Sequence, residues 1–203
     1  GSPDLKYAKE VADFLKTDHT EIIVNEQEFL EAIPIVIKTI ESYDTTTVRA
    51  SVGNYLVAKY ISEHCDAKVI FNGDGSDELM GGYLYFKKCP DHFEFDKECK
   101  RLLENICYFD VLRSDRSIST NGLEPRTPFL DKAFVNYYLS IDPKLRSSSD
   151  QMEKYILRKS FQGILPEEVL WRRKEAFSDG VSGKEKSWYE IIQEVIETKI
   201  TDA

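Results

Sequence analysis

The chain has 203 residues, 41% hydrophobic and 31% charged, with a formal charge of −9. That is enough chain for one domain with its own core, and the composition excludes a disordered segment. The longest apolar run, Ala32 to Ile37, is far below the roughly 20 residues of a membrane span, and the acidic balance excludes a nucleic-acid surface, because the only basic cluster is Arg172, Arg173 and Lys174.

The opening "GSPDLKYAKEVADFL" reads as a helix capped by Ser2, with Pro3 at the first helical position and Leu5, Ala8, Val11, Ala12 and Leu15 on one face. A chain that starts on a helix cap, without an initiator methionine or a leader peptide, is expected to be a piece of a longer protein. "TEIIV" (20–24) is a strand candidate. Asn25 with Glu28 forms a capping-box signature for the next helix, which Pro34 should interrupt. "VRASVGNYLVAKYISEH" reads as a helix, and "AKVIFN" as a buried strand whose continuous apolar residues suit a parallel sheet. Helix, strand, helix, strand implies an α/β fold over residues 1–90, with further strands expected upstream of Gly1. Residues 91–203 turn mainly helical, through "FEFDKECKRLLENICYFDVLRSDRSIS", "FLDKAFVNYYLSI", "MEKYILRKSF" and "SWYEIIQEVIETKI". The four cysteines, Cys65, Cys89, Cys99 and Cys107, lack C-x-x-C spacing, so reduced thiols in a cytoplasmic protein are expected.

The stretch "VIFNGDGSDELMGGYLYF" (69–86) runs from a strand into a glycine-rich loop loaded with Asp74, Asp77 and Glu78. Such loops cradle phosphate, which carboxylates repel; a divalent ion reconciles the two, since Mg²⁺ takes one or two carboxylates plus phosphate oxygens. Asp77 is then the metal ligand. A calcium loop starting at Asn72, with Asp74 and Ser76 at alternate positions, fails because the sixth residue is Asp77 rather than Gly and the twelfth is Tyr83 rather than Glu. A solvated acidic turn stays open as the alternative. Position favours the functional reading, because ligands of open α/β sheets sit beyond the carboxyl ends of strands.

Four further stretches carry candidates, each with an ordinary structural alternative. Asp110 and Arg113 lie three residues apart and share a helix face, as any surface ion pair does. "GLEPRTPFLD" holds Arg126 in a proline-stiffened loop suited to an anion or to a helix entry. "ESYDTTTVRAS" places Thr46 and Arg49 near a helix start, where threonines serve as caps or meet anions. "WRRKEAFSDG" places Lys174 before a turn formed by Phe177, Ser178, Asp179 and Gly180, either a solvated basic turn or a counter-charge for pyrophosphate.

Taken together and in this order, "GDGSDELMGGY", "GLEPRTPFLD" and "WRRKEAFSDG" resemble the synthetase domain of glutamine-hydrolysing asparagine synthetases, along essentially the whole of residues 1–203. The resemblance implies an adenine-nucleotide fold of the ATP-pyrophosphatase type. It also implies adenylation of the aspartate side chain by ATP with Mg²⁺, then displacement of AMP by ammonia from a glutaminase domain. Carried over, Asn72, Gly73, Gly75 and Ser76 approach the nucleotide, and Asp77 is the magnesium ligand. Lys174 contacts phosphate and the intermediate, and Asp74 removes a proton from the attacking ammonia. Thr46, Arg49, Asp110, Arg113 and Arg126 line or support the site. The family loop commonly reads S-G-E-G-S-D-E, so Asn72 replaces Ser and Asp74 is one methylene shorter than Glu. The family's S-G-G-x-D-S loop and glutaminase domain are expected upstream, this stretch alone is expected to be inactive, and a homodimer is left open. The alternatives are a β-lactam synthetase relative, in which a Tyr and Glu pair replaces the loop acid, and a non-catalytic module that keeps the fold.

Overall fold

The structure, a computed structural model, describes residues 3–147, 152–174 and 188–201. The predicted cap Ser2 and the turn at Phe177 to Gly180 lie outside the described residues. Helix α1 (Pro3–Leu15) begins on the proline, whose fixed φ and missing N–H suit a first helical turn. Helix α2 (Glu26–Ile40) starts at the predicted capping box: the Asn25 side chain accepts from Glu28 N, and the Glu28 carboxylate accepts from Asn25 N at 2.9 Å.

Two expectations fail here. Pro34 does not end α2; it lies on the exposed side, where water can serve the freed carbonyl, while Phe29, Ala32, Val36 and Ile40 bury the opposite stripe and the helix continues through it. "TEIIV" forms no strand, and Ile23 is left 79% exposed. An isolated strand gains no ladder hydrogen bonds, and among the described residues this segment has no neighbour to supply them.

Helix α3 (Thr45–His64) is capped by Asp44, which accepts from Thr47 N and Thr47 Oγ1 at 2.8 and 2.7 Å. It packs α2 through a core of Phe29, Val36, Ile40, Val48 and Val52, completed by Ile191 of the last helix. Strand β1 (Val69–Phe71) pairs in parallel with β2 (Glu124–Arg126), in the register Val69 to Glu124 and Phe71 to Arg126. Alternation buries Ile70 against Ala58, Ile61, Ile118 and Leu123 on one face only. The expected buried strand is therefore half right, since Val69 and Phe71 are exposed on the other, uncovered face.

Between the strands run α4 (Ser76–Met80), α5 (His92–Asn105) and α6 (Asp110–Ser119). The long helical stretch read from sequence breaks at Phe109, whose φ −126° and ψ −98° separate α5 and a 3₁₀ turn from α6. Then follow α7 (Lys132–Ser140), α8 (Pro143–Arg146), α9 (Tyr155–Ser160), α10 (Glu167–Leu170) and α11 (Trp188–Thr201). The mainly helical architecture thus carries a small parallel sheet, and no helix among the described residues is long and apolar enough to cross a membrane. The four cysteines are free.

One buried charge fastens α5 to α8. The fully buried Arg146 side chain pairs with Asp96, donates from Nε to Ile141 O at 2.9 Å and stacks over Tyr138. Removing a partner from a buried ion pair strands the other charge. Asp96→Ala should destabilise the protein by about 3 kcal/mol, seen as a lower denaturant midpoint at unchanged slope. Lys100→Ala, which removes the exposed partner of the same carboxylate, should stay within about 0.5 kcal/mol.

Candidate active site

The site grows from the end of β1. Asn72 N donates to Arg126 O at 3.0 Å, extending the ladder by one residue, and the Asn72 side chain then organises the turn: Oδ1 accepts Asp74 N and Nδ2 donates to Ser114 Oγ of α6 at 2.7 Å. Gly75 follows at φ 86° and starts α4; a Cβ there would also lie 2.3 Å from Leu130 Cδ2. Gly82 is needed for space, since its Cβ would lie 1.8 Å from Asp77 Oδ1. The glycines thus let the chain close around one carboxylate.

That carboxylate is shared by two lysines. Lys174 Nζ donates to Asp77 Oδ2 at 2.7 Å, and Lys154 Nζ lies 2.8 Å from Oδ1. The three side chains are only 17–20% exposed, so two ammoniums on one carboxylate leave a net positive charge largely withdrawn from water. Burial pushes the Asp77 carboxyl up, but Lys154 and Lys174 more than reverse this and hold it below the usual range. Asp74 behaves oppositely: burial raises its carboxyl, the Ser114 hydrogen bond and Arg113 oppose, and the Glu78 charge adds to the rise. Its Oδ2 is buried without a hydrogen-bond partner.

Glu78, buried in α4, accepts the Tyr83 hydroxyl proton, and the Tyr83 ring lies under Lys174 at 5.9 Å. Burial and then Glu78 push the Tyr83 phenol far up, so it stays a protonated donor. Asp110 and Arg113 form the ion pair their spacing predicts, partly buried at the start of α6. The Arg113 charge also weakly favours the ionised forms of Asp44, Asp74 and Tyr83.

The predicted residues do not all meet. Asp77 and Lys174 join directly, while Asn72, Asp74, Asp110 and Arg113 gather along the loop and α6. Ser76 is buried in the first turn of α4 and Gly73 lies exposed at the loop tip. Arg126 is held by Glu124, two residues away on its own strand, and both are 59% exposed. Thr46 is exposed in the first turn of α3, and Arg49 is half-buried with an unpartnered Nε. Sequence reading passed over Lys154, Glu153, Arg158 and Tyr83. Lys154 sits in a segment that reads as a short amphipathic helix, and its link to Lys174 is tertiary.

In this arrangement the Asp77 carboxylate is taken up by the two ammoniums rather than open to a metal ion. Both Asp77 oxygens face ammoniums, and no three His, Cys, Asp or Glu side chains converge on a common point among the described residues. Beside the lysine pair a cleft of ≈ 750 Å³ opens between α1 and the α9–α10 region, with Arg158, Arg172 and Arg173 on its basic wall and Tyr7, Ala8 and Val11 opposite. A second hollow of ≈ 530 Å³ along α5 is a solvated face of Lys, Arg and Glu pairs without candidate chemistry.

One carboxylate, Asp77, on a glycine-rich turn beyond a parallel strand, thus faces two lysines in a mainly helical protein with a small parallel sheet. A profile of the asparagine synthase family matches residues 1–97 and 87–203. The chain is 48% identical over 204 residues to the glutamine-hydrolyzing asparagine synthetases of Rattus norvegicus and Homo sapiens, covering 100% of this chain and 36% of each relative. It is 50% identical over 203 residues to that of Gallus gallus, again over 36% of the relative. The chain belongs to the asparagine synthase family, and it spans about a third of the length of these curated relatives.

The opposed carboxylates give a pH test. Asp74, raised on folding, opposes stability at any pH above its folded pKa, and the penalty vanishes below its unfolded value near 3.8. Asp74→Asn should therefore raise the melting temperature at pH 7, with the gain fading as pH falls toward 4. Asp77 has the opposite sign: its contribution is present above the unfolded pKa and lost as pH falls through the depressed folded value. Asp77→Asn should thus lower the melting temperature at pH 7. Melting curves at several pH values check both signs.

Proposed function

We propose that this chain forms part of the synthetase site of an ATP-dependent asparagine synthetase, with an ATP-pyrophosphatase type fold. The observation that carries the reading is Asp77 held between Lys154 and Lys174 at the carboxyl end of β1. In the first half-reaction an oxygen of the aspartate side-chain carboxylate attacks the α-phosphorus of ATP. The bond to the β-phosphate bridging oxygen breaks and pyrophosphate leaves. Ammonia then attacks the acyl carbon of β-aspartyl-AMP, loses a proton, and the carbon–oxygen bond to AMP breaks.

The residues have roles that follow from their surroundings. Lys154 and Lys174 place two compact, preorganised charges where negative charge grows on the departing pyrophosphate. Mg²⁺ enters as part of the substrate, as MgATP. Phosphate oxygens would compete with Asp77 for the ammoniums, and the carboxylate so freed is the one that would hold the ion. Asp74, with a buried oxygen free of hydrogen bonds and a raised affinity for protons, is suited to accept the proton from ammonia. Asp110 and Arg113 hold charge balance beside it. Asn72 shapes the turn, and Gly73 leaves its backbone open to a nucleotide. Thr46, Arg49 and Arg126 are nucleotide contacts only if ATP draws them in. The glutaminase domain of the relatives' type supplies the ammonia, and the cytoplasmic setting rests on the free thiols.

The experiment separates the half-reactions in the full-length protein. Lys174→Ala should lower pyrophosphate release by roughly 10²-fold, and Lys174→Arg should not restore it, because the planar fork is larger and differently placed. Asp74→Asn should preserve pyrophosphate release better than asparagine formation. Near-normal release in Lys174→Ala would overturn the leaving-group role, and equal loss of both half-reactions in Asp74→Asn would make that residue a nucleotide contact instead.

A further inference from the structure

Lys154 reaches Asp77 from an unusual backbone. Its φ of 57° and ψ of 33° put a residue with a Cβ in the left-handed region, just before α9. Such a conformation persists only when surrounding bonds impose it. Here Arg158 supplies bonds to the chain on one side of Lys154 and to the segment before Lys174. Its Nε donates to Glu153 O at 2.8 Å and its Nη2 to Glu153 Oε1 at 3.2 Å, which fixes the residue immediately before Lys154. Its Nη1 donates to Leu170 O and to Arg172 O at 3.2 Å, which fixes the strand of chain that leads into Lys174.

Glu153 closes the unit from the other side. Its side chain is 3% exposed, and Oε1 accepts the backbone N–H of Lys174 at 3.2 Å, while Lys87 Nζ lies 3.6 Å from Oε2. Among the described residues, every side-chain bond of this pair except the one to Lys87 therefore ends on residues 153, 170, 172 or 174, beside or at the two lysines. A buried ion pair needs further hydrogen bonds to satisfy its remaining protons and lone pairs, and here the groups that supply them lie in the two segments that carry the lysines.

We propose that Glu153 and Arg158 are positioning residues that set the spacing of the Lys154 and Lys174 ammoniums for a diphosphate group. They act through the lysines and touch no reacting atom, and the inference rests on the anion-site reading above. A guanidinium is required because its planar fork holds four acceptors at once, whereas an ammonium at that position keeps the charge and loses the geometry.

The test is a double-mutant cycle in the full-length protein, measured as pyrophosphate release with ATP varied and aspartate saturating, alongside melting temperature. Arg158→Lys should lower the maximal rate by roughly 10-fold in the otherwise unchanged protein and by less than about twofold in the Lys174→Ala background, because residues acting as one unit are non-additive. Glu153→Gln, which keeps the volume and an oxygen to accept Lys174 N–H, is the second variant and should show the same coupling with a smaller loss. Equal fold losses in both backgrounds, no loss in either, or failure of both variants to fold would overturn the positioning role while leaving the lysine site intact. An unaffected rate in Lys174→Ala alone would instead remove the anion site itself, and this inference with it.

Discussion

The sharing of one carboxylate by two ammoniums is the constraint on which the rest of the site depends. Two like charges withdrawn from water repel, so Asp77 between Lys154 and Lys174 is what lets both ammoniums sit in one place. Asp77 in turn can sit there only because Gly82 has no Cβ and Gly75 turns the chain at positive φ. The composition of the loop, which looks contradictory for a phosphate cradle, is the composition that a shared carboxylate requires.

Two aspartates three residues apart are driven in opposite directions by their neighbours. Asp77, against two lysines, is held ionised, and Asp74, against burial and the Glu78 charge, is made a better proton acceptor. Nothing in the side chains differs; the environment alone separates a carboxylate held ionised from one that keeps its proton more readily. Glu78 takes a third course, bound to a tyrosine that stays protonated. One turn of chain thereby presents an ionised carboxylate, a basic one and a capped one.

The support of this site lies behind it, in α9 and the segment after α10, rather than in the loop. Arg158 and Glu153 join those two pieces, and the strained Lys154 backbone marks where their bonds override local preference. The other place where local preference and context part is the sheet. Val69, Phe71 and Ile23 keep strand-like apolar character yet remain exposed, because no described element covers that face of the sheet or pairs with the segment around Ile23.

Much of this was legible in the residues. The capping box at Asn25, the proline start of α1, the parallel strand before Asn72 and the Asp110–Arg113 pair follow from short-range patterns, and so does the carboxylate loop, because caps, periodicity and i to i+3 spacing act within a turn or two. Pro34 misled because the apolar stripe of α2 outweighs one lost hydrogen bond on a solvent face. "TEIIV" misled because a strand is defined by its neighbour. Lys154, Glu153 and Arg158 carried no local signal at all. Their meaning arises 77 residues from Asp77 along the chain in one case and through backbone acceptors in the others. Sequence alone determined which charges were available and which turn would hold them. Only the tertiary structure decided which cations share the carboxylate, because that choice depends on close packing between segments that are distant along the chain.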